Sequence, residues 1–162
     1  MSYNPYYDKK RTTQKPREPI GSPVKVIAPK PLGENFVDMA ERAIEKHLQR
    51  KEFVTSSKLR GIYALFLDIY NKEILRNEEK LSKGSLDKLK MLHVKILYDA
   101  GRDTQEKKKN PLKDFIEDTD IISYIKDIGD SREKFIKTTQ YFEALVAFHR
   151  YYSSEKSEKN RR

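Results

Sequence analysis

Three histidines, His47, His93 and His149, are the side chains best suited to proton transfer or metal binding. Their placement argues against both roles. Each falls on a different helical segment, and none has a histidine or carboxylate partner at a metal-ligand spacing. His93 and His149 lie on apolar stripes, where a hydrogen-bonded core histidine is the better reading. The acidic stretch Glu117-Asp118-Thr119-Asp120 lacks the glycine and distal glutamate of a calcium loop. There is no cysteine, hence no disulfide, zinc–thiolate site or thiol nucleophile. No glycine-rich phosphate loop and no serine in a nucleophile elbow occur. The residues predict a protein without catalysis, cofactor or metal.

Cations at helix ends are the more informative chemistry. Thr55-Ser56-Ser57 reads as the N-cap of a helix, yet its first turn carries Lys58 and Arg60 where a capping box would place Glu or Gln. Cations there oppose the helix dipole at about 0.3–1 kcal/mol each. A bound anion would offset that cost, held by free N–H groups, hydroxyls and the two side chains. An ordinary cap with solvated cations fits equally well. Further on, Lys88, Lys95 and Arg102 recur every seven residues and drift only about 20° per step, so they can form one basic ridge. Asp99 lies on the same face and can pair with Lys95; solvated or ion-paired charge is the better reading for Lys88, and a place on the basic ridge the better one for Arg102. Lys107-Lys108-Lys109 makes a basic loop of a kind commonly just solvated.

The elements that must carry these residues are helical throughout. A first helix is expected over about 34–51, with Phe36, Ala40, Ala43, Ile44 and His47/Leu48 on its stripe. A second covers about 56–80, a third about 86–100 with Ser85 as N-cap and Gly101 as terminator. Asn110-Pro111 starts a fourth, whose stripe of Leu112, Phe115, Ile122, Ile125 and Ile128 runs to Gly129. A fifth extends from Ser131 to about Tyr152. It is apolar on more than one side, which suits a central helix better than one with a second face for another subunit. The expected fold is all-α: a compact bundle of about five helices over 34–152, with a polar tail over 153–162. Six of the seven prolines precede residue 33, so residues 1–33 are expected to be a disordered, basic, proline-rich arm.

Charge is unevenly distributed over the 162 residues, whose net formal charge is +9. Residues 1–33 carry seven basic and two acidic groups, whereas 34–152 carry 23 and 21. A polyanion site on the body must therefore come from local segregation of charge. No apolar run is long enough to span a bilayer and no secretory signal is legible. The chain is expected to be soluble, intracellular and without membrane association.

The segments T-S-S-K-L-R at 55–60, K-I-L-Y-D-A-G-R at 95–102 and Y-F-E-A-L-V-A-F-H-R-Y-Y at 141–152 occur in that order. Over about residues 36–152 the chain resembles the small subunit of the type III-A CRISPR–Cas interference (Csm) complex. The resemblance implies a small helical, non-catalytic cytoplasmic protein of antiviral defence, stacking in several copies along the crRNA-bearing backbone subunits. It would line the channel where target RNA pairs with the guide, and cutting would belong to the backbone and large subunits. In guided systems base pairing reads the sequence, so the protein needs only phosphate and shape contacts. By position in the matched blocks, Lys58, Arg60, Lys95, Arg102 and Arg150 are candidate RNA contacts, with Lys88 and His149 behind them. Glu143 lies seven residues before Arg150 on the same face, so a structural pair is the competing reading for Arg150. The alternative is a helical adaptor whose basic arm docks on an acidic partner; a helix-turn-helix DNA binder fits neither inter-helix junction.

Overall fold

Apolar residues three and four apart generate six helices rather than five: α1 (Phe36–Leu48), α2 (Ser56–Glu73), α3 (Lys83–Glu106), α4 (Pro111–Thr119), α5 (Ile121–Ile128) and α6 (Arg132–Lys159). The computed structural model describes residues 21, 23–106 and 110–159, without the side chains of 103–106. Among these residues no helix is long and apolar enough to cross a membrane. The all-α expectation holds. The call on Lys107-Lys108-Lys109 lies outside the described residues, as does the arm over 1–20.

Helix α6 is the central element, packed against α1, α2 and α5, as its apolar girth requires. Phe135, Tyr141, Phe142 and Leu145 on it are all buried. The Phe142 ring stacks on Phe66 at 4.9 Å and meets Phe115 edge-on at 6.2 Å. One side chain of α6 thereby joins α2 and α4 in the same core.

Four boundaries differ from the sequence reading. The expected fourth helix is two, broken at Asp120, which takes the left-handed conformation at φ 54°. Aspartate tolerates that region better than most residues. Two contacts hold the break: Tyr141 Oη donates to the freed Thr119 O at 2.8 Å, and Lys30 Nζ donates to the Asp120 carboxylate at 2.8 Å. Helix α2 stops at Glu73, not near 80, because the buried Glu73 carboxylate accepts from Arg76 at 2.7 Å and from Ser82 Oγ at 2.8 Å, closing the chain behind it. Ser82, not Ser85, caps α3: its Oγ accepts from Ser85 N at 3.3 Å, and Ser85 is buried inside the helix. Gly101 does not terminate α3, which continues to Glu106.

Both expected tails are shorter than read. Helix α6 runs to Lys159, through most of the segment taken as a polar tail. In the arm, residues 23–33 have no regular secondary structure, but their C-terminal part lies on α5. Lys30 N donates to Ser123 O at 3.1 Å, Lys126 Nζ donates to Ile27 O at 2.6 Å, and Ile27 and Leu32 pack on the core.

Candidate nucleic-acid interface

The loop between α1 and α2 decides where the first turn of α2 stands, and two buried histidines hold it. Val54 N donates to His47 Nε2 at 3.1 Å, while His149 Nε2 donates to Val54 O at 2.8 Å. His47 Nδ1 then donates to Asp118 at 3.0 Å, and Ser56 Oγ donates to His149 Nδ1 at 3.3 Å. The Val54 N–H fixes His47 as the neutral tautomer protonated on Nδ1, and the Val54 carbonyl places a proton on Nε2 of His149. Burial pushes both imidazoles below their ordinary value; for His47 it outweighs the opposing pull of Asp118. Phe53 lies edge-on to both rings, and Lys156 places its ammonium 5.0 Å from the Phe53 ring centre while donating to Leu48 O.

Asp118 anchors the far side. Its side chain is wholly buried and takes a two-pronged contact from Arg50, Nε at 2.7 Å and Nη2 at 2.9 Å, with Lys46 at 3.2 Å. Burial alone would raise its carboxyl; the hydrogen bonds of Arg50, His47 and Lys46 outweigh that and hold it at about 2. Among the described residues no group of three histidine, cysteine or acidic side chains is placed to hold a metal.

On this support α2 begins at Ser56, with Thr55 Oγ1 accepting from Lys58 N at 3.2 Å and no acidic residue in the first turn. Lys58 reaches toward α3, its Nζ 3.9 Å from Asp99. At that distance the pair is a weak contact, and Asp99 meets Lys58 rather than the Lys95 expected for it. Lys58 and Lys95 instead line one cleft between α2 and α3. Because α3 passes unbroken through Gly101, Arg102 stands on the Lys95 ridge two turns on, about 10 Å away. Lys88, two turns the other way, is paired with Asp68 at 2.5 Å, so the ion-paired reading of Lys88 holds.

Arg60, Lys95, Arg102 and Arg150 are exposed and form no ion pair within the described residues. Lack of a partner does not by itself single them out, since exposed Lys51, Lys83 and Lys90 have none either. What distinguishes them is place. Arg60 stands one turn beyond Ser56, the residue that touches His149 on α6, and Arg150 follows His149 directly. The feared Glu143–Arg150 pair is absent; Glu143 acts on Tyr63 of α2, and burial together with that carboxylate raises the Tyr63 phenol. His149 itself is corrected as a surface candidate: it is 1% exposed with both ring nitrogens engaged, a core histidine. The core reading of His93 is met less fully, since its Nε2 is buried without a hydrogen-bond partner.

Sequence reasoning missed the His47–Asp118–Arg50 cluster, whose members lie about seventy residues apart with no local signal. It also missed an exposed apolar stripe on α3: Met91, Val94 and Tyr98 are 63%, 55% and 65% exposed, interleaved with Lys95 and Arg102. The three/four spacing of those residues was there to be read.

Comparison with known proteins bears on the same residues. Residues 30–155 match the family model for Csm2 of type III-A. The chain is 33% identical over 125 residues to the CRISPR system Cms protein Csm2 of Streptococcus thermophilus, covering 75% of this chain and 94% of the relative. It is 31% identical over 101 residues to the Csm2 protein of Enterococcus italicus, covering 61% and 68%. The Csm2 protein of Mycobacterium tuberculosis is 25% identical over 122 residues, covering 74% and 93%. With the helical fold and the matched span agreeing over the whole body, the chain belongs to the Csm2 family of type III-A CRISPR systems, the small subunit of the Csm complex.

Proposed function

We propose that this small subunit holds target RNA by sequence-independent phosphate contacts, without catalysis of its own, in a cytoplasmic complex of antiviral defence. The observation that carries the reading is the start of α2: Lys58 in the first turn, Arg60 just beyond it, no acid in that turn, and a rigid support beneath. Lys58, Arg60, Lys95, Arg102 and Arg150 make the contacts; Lys88 does so only by leaving Asp68. Guide pairing reads the sequence, and the protein follows the backbone of crRNA and target. Copies stack along the backbone subunits and against the large subunit. The exposed Met91, Val94 and Tyr98 stripe supports such packing, since apolar faces of this kind ordinarily lie against a partner.

The test is the double variant Lys58→Ala/Arg60→Ala. Removing Lys58 relieves about 0.3–1 kcal/mol of dipole repulsion, and the loose Lys58–Asp99 pair given up with it is worth at most about 1 kcal/mol; Arg60 lies beyond the first turn and feels little of the dipole. Stability of the free protein should stay within about 0.5 kcal/mol in urea melts. Target-RNA binding by the reconstituted complex should weaken by roughly tenfold, about 1.4 kcal/mol. Unchanged RNA binding with unchanged stability refutes the reading.

A further inference from the structure

Beside the turn that carries Lys58, a cleft of about 200 Å³ opens between α2 and α3. Ile62, Leu65 and Ile96 line its apolar part; Lys58, Lys95 and Asp99 bring the charges. Gly61 and Ser57 form the remaining wall. Glycine is among the poorest residues for a helix interior, and here neither backbone nor packing demands it. A Cβ at residue 61 would meet nothing within 4 Å, and the φ is not one that favours glycine. What glycine leaves is open space beside the two lysines.

The charges narrow what can fill that space. Two ammonium groups attract an anion, but Asp99, 3.9 Å from Lys58 and largely buried, repels one. A ligand that carries a phosphate and a hydroxyl donor answers both, because a carboxylate accepts from a hydroxyl. An apolar wall suits the carbon face of a sugar. The volume lies below the range of about 300–1,000 Å³ typical of sites for whole small molecules, so a backbone segment fits better than a free nucleotide. The geometry points to a subsite for one ribose–phosphate unit of an RNA strand. It sits over Gly61, with phosphate at Lys58 and Lys95 and the 2′-hydroxyl donating to Asp99. This rests on the RNA reading above and adds to it discrimination of RNA from DNA at a single sugar.

Fluorescence anisotropy of the full chain at low ionic strength, with oligouridylate and oligodeoxyuridylate of equal length, tests it. One hydrogen bond corresponds to a preference for RNA of about fivefold. Asp99→Ala should erase that preference, since the acceptor for the 2′-hydroxyl goes while the lysines stay; the lost repulsion raises affinity for both strands alike. Gly61→Leu should weaken RNA binding about fivefold or more, with Gly61→Ala intermediate and both at least as stable as the parent. Equal binding of the two oligomers by the parent chain overturns the subsite, as does a preference that survives Asp99→Ala or RNA binding unchanged in Gly61→Leu. Lys58→Ala/Arg60→Ala separates the failures. If it weakens RNA binding while the cleft variants do not, only the subsite is wrong; if it too is silent, the RNA reading falls with it.

Discussion

His47 and His149 take opposite halves of one residue, the N–H and the C=O of Val54, so their energetics can be separated by substitution. Phenylalanine keeps the ring and removes the nitrogens, leaving a buried backbone group unsatisfied at about 1–3 kcal/mol. His47→Phe should cost more than His149→Phe, because it also strips a donor from buried Asp118. The pH dependence has a defined sign. Burial holds both imidazoles below the ordinary value near 6.5, so between the two values the unfolded chain binds protons that the folded chain refuses. Their contribution is therefore complete above about pH 6.5 and is lost as pH falls through the lowered folded values. Urea denaturation from about pH 7 down to 5 should show stability falling, and falling less in His149→Phe. Asp118, held at about 2, remains ionised through that window; its contribution is lost only as pH drops from about 3.8 toward 2. The histidines' membership of apolar stripes was legible in the sequence, whereas their grip on a common peptide was not. That grip depends on where the loop at 49–55 comes to lie.

Helix α3 provides a test at the next scale. Were Gly101 a left-handed C-cap, alanine there would cost stability; inside a continuous helix with nothing within 4 Å of a new Cβ, it should add about 0.5–1 kcal/mol. Thermal or urea melts of Gly101→Ala decide the sign, and a loss would return Arg102 to a loop, off the Lys95 ridge. The error at Gly101 has a plain cause. Glycine after a periodic run is the ordinary stop signal, but a helix continues through it wherever tertiary packing and the next residues compensate. Ala100, only 5% exposed, is the packing here. The opposite error occurred at Asp120. The apolar period ran on from Phe115 to Ile122, yet the chain breaks there, because Thr119 and Asp120 find better partners in Tyr141 and Lys30 than another helical turn would supply.

Across the whole molecule, charge decides how any RNA is bound. The body over 34–152 is nearly neutral, with 23 basic against 21 acidic groups, and many cations are spent in pairs such as Lys80–Asp130, Lys134–Asp127 and Lys137–Glu34. On the proposed reading, a single copy reaches two or three phosphates with Lys58, Lys95 and their neighbours. The free protein should bind RNA weakly, with a log–log salt slope of about −1.5 to −2, at roughly −0.7 per phosphate of a single strand. A chain beginning at residue 21 should retain part of that affinity, because the proposed contacts lie on the body. Loss of all RNA affinity on removing residues 1–20 would favour a basic arm acting alone, and nanomolar, sequence-selective binding would contradict phosphate-only contacts.

Helical content, the apolar stripes, and the two cations at the start of α2 are local properties of the chain. They were determined by residue spacing and composition alone, because helix periodicity and dipole act within a few residues. The family was legible for the same reason, in three short contiguous segments. Only the tertiary structure decided which cations are free, since ion pairs such as Lys88–Asp68 span twenty residues of sequence. It likewise decided that His149 is buried and that Lys58 and Lys95 share one cleft beside Gly61. Such pairings arise when whole helices dock, and docking is set by the combined packing of the core around Phe66, Phe115 and Phe142 rather than by any local run of residues.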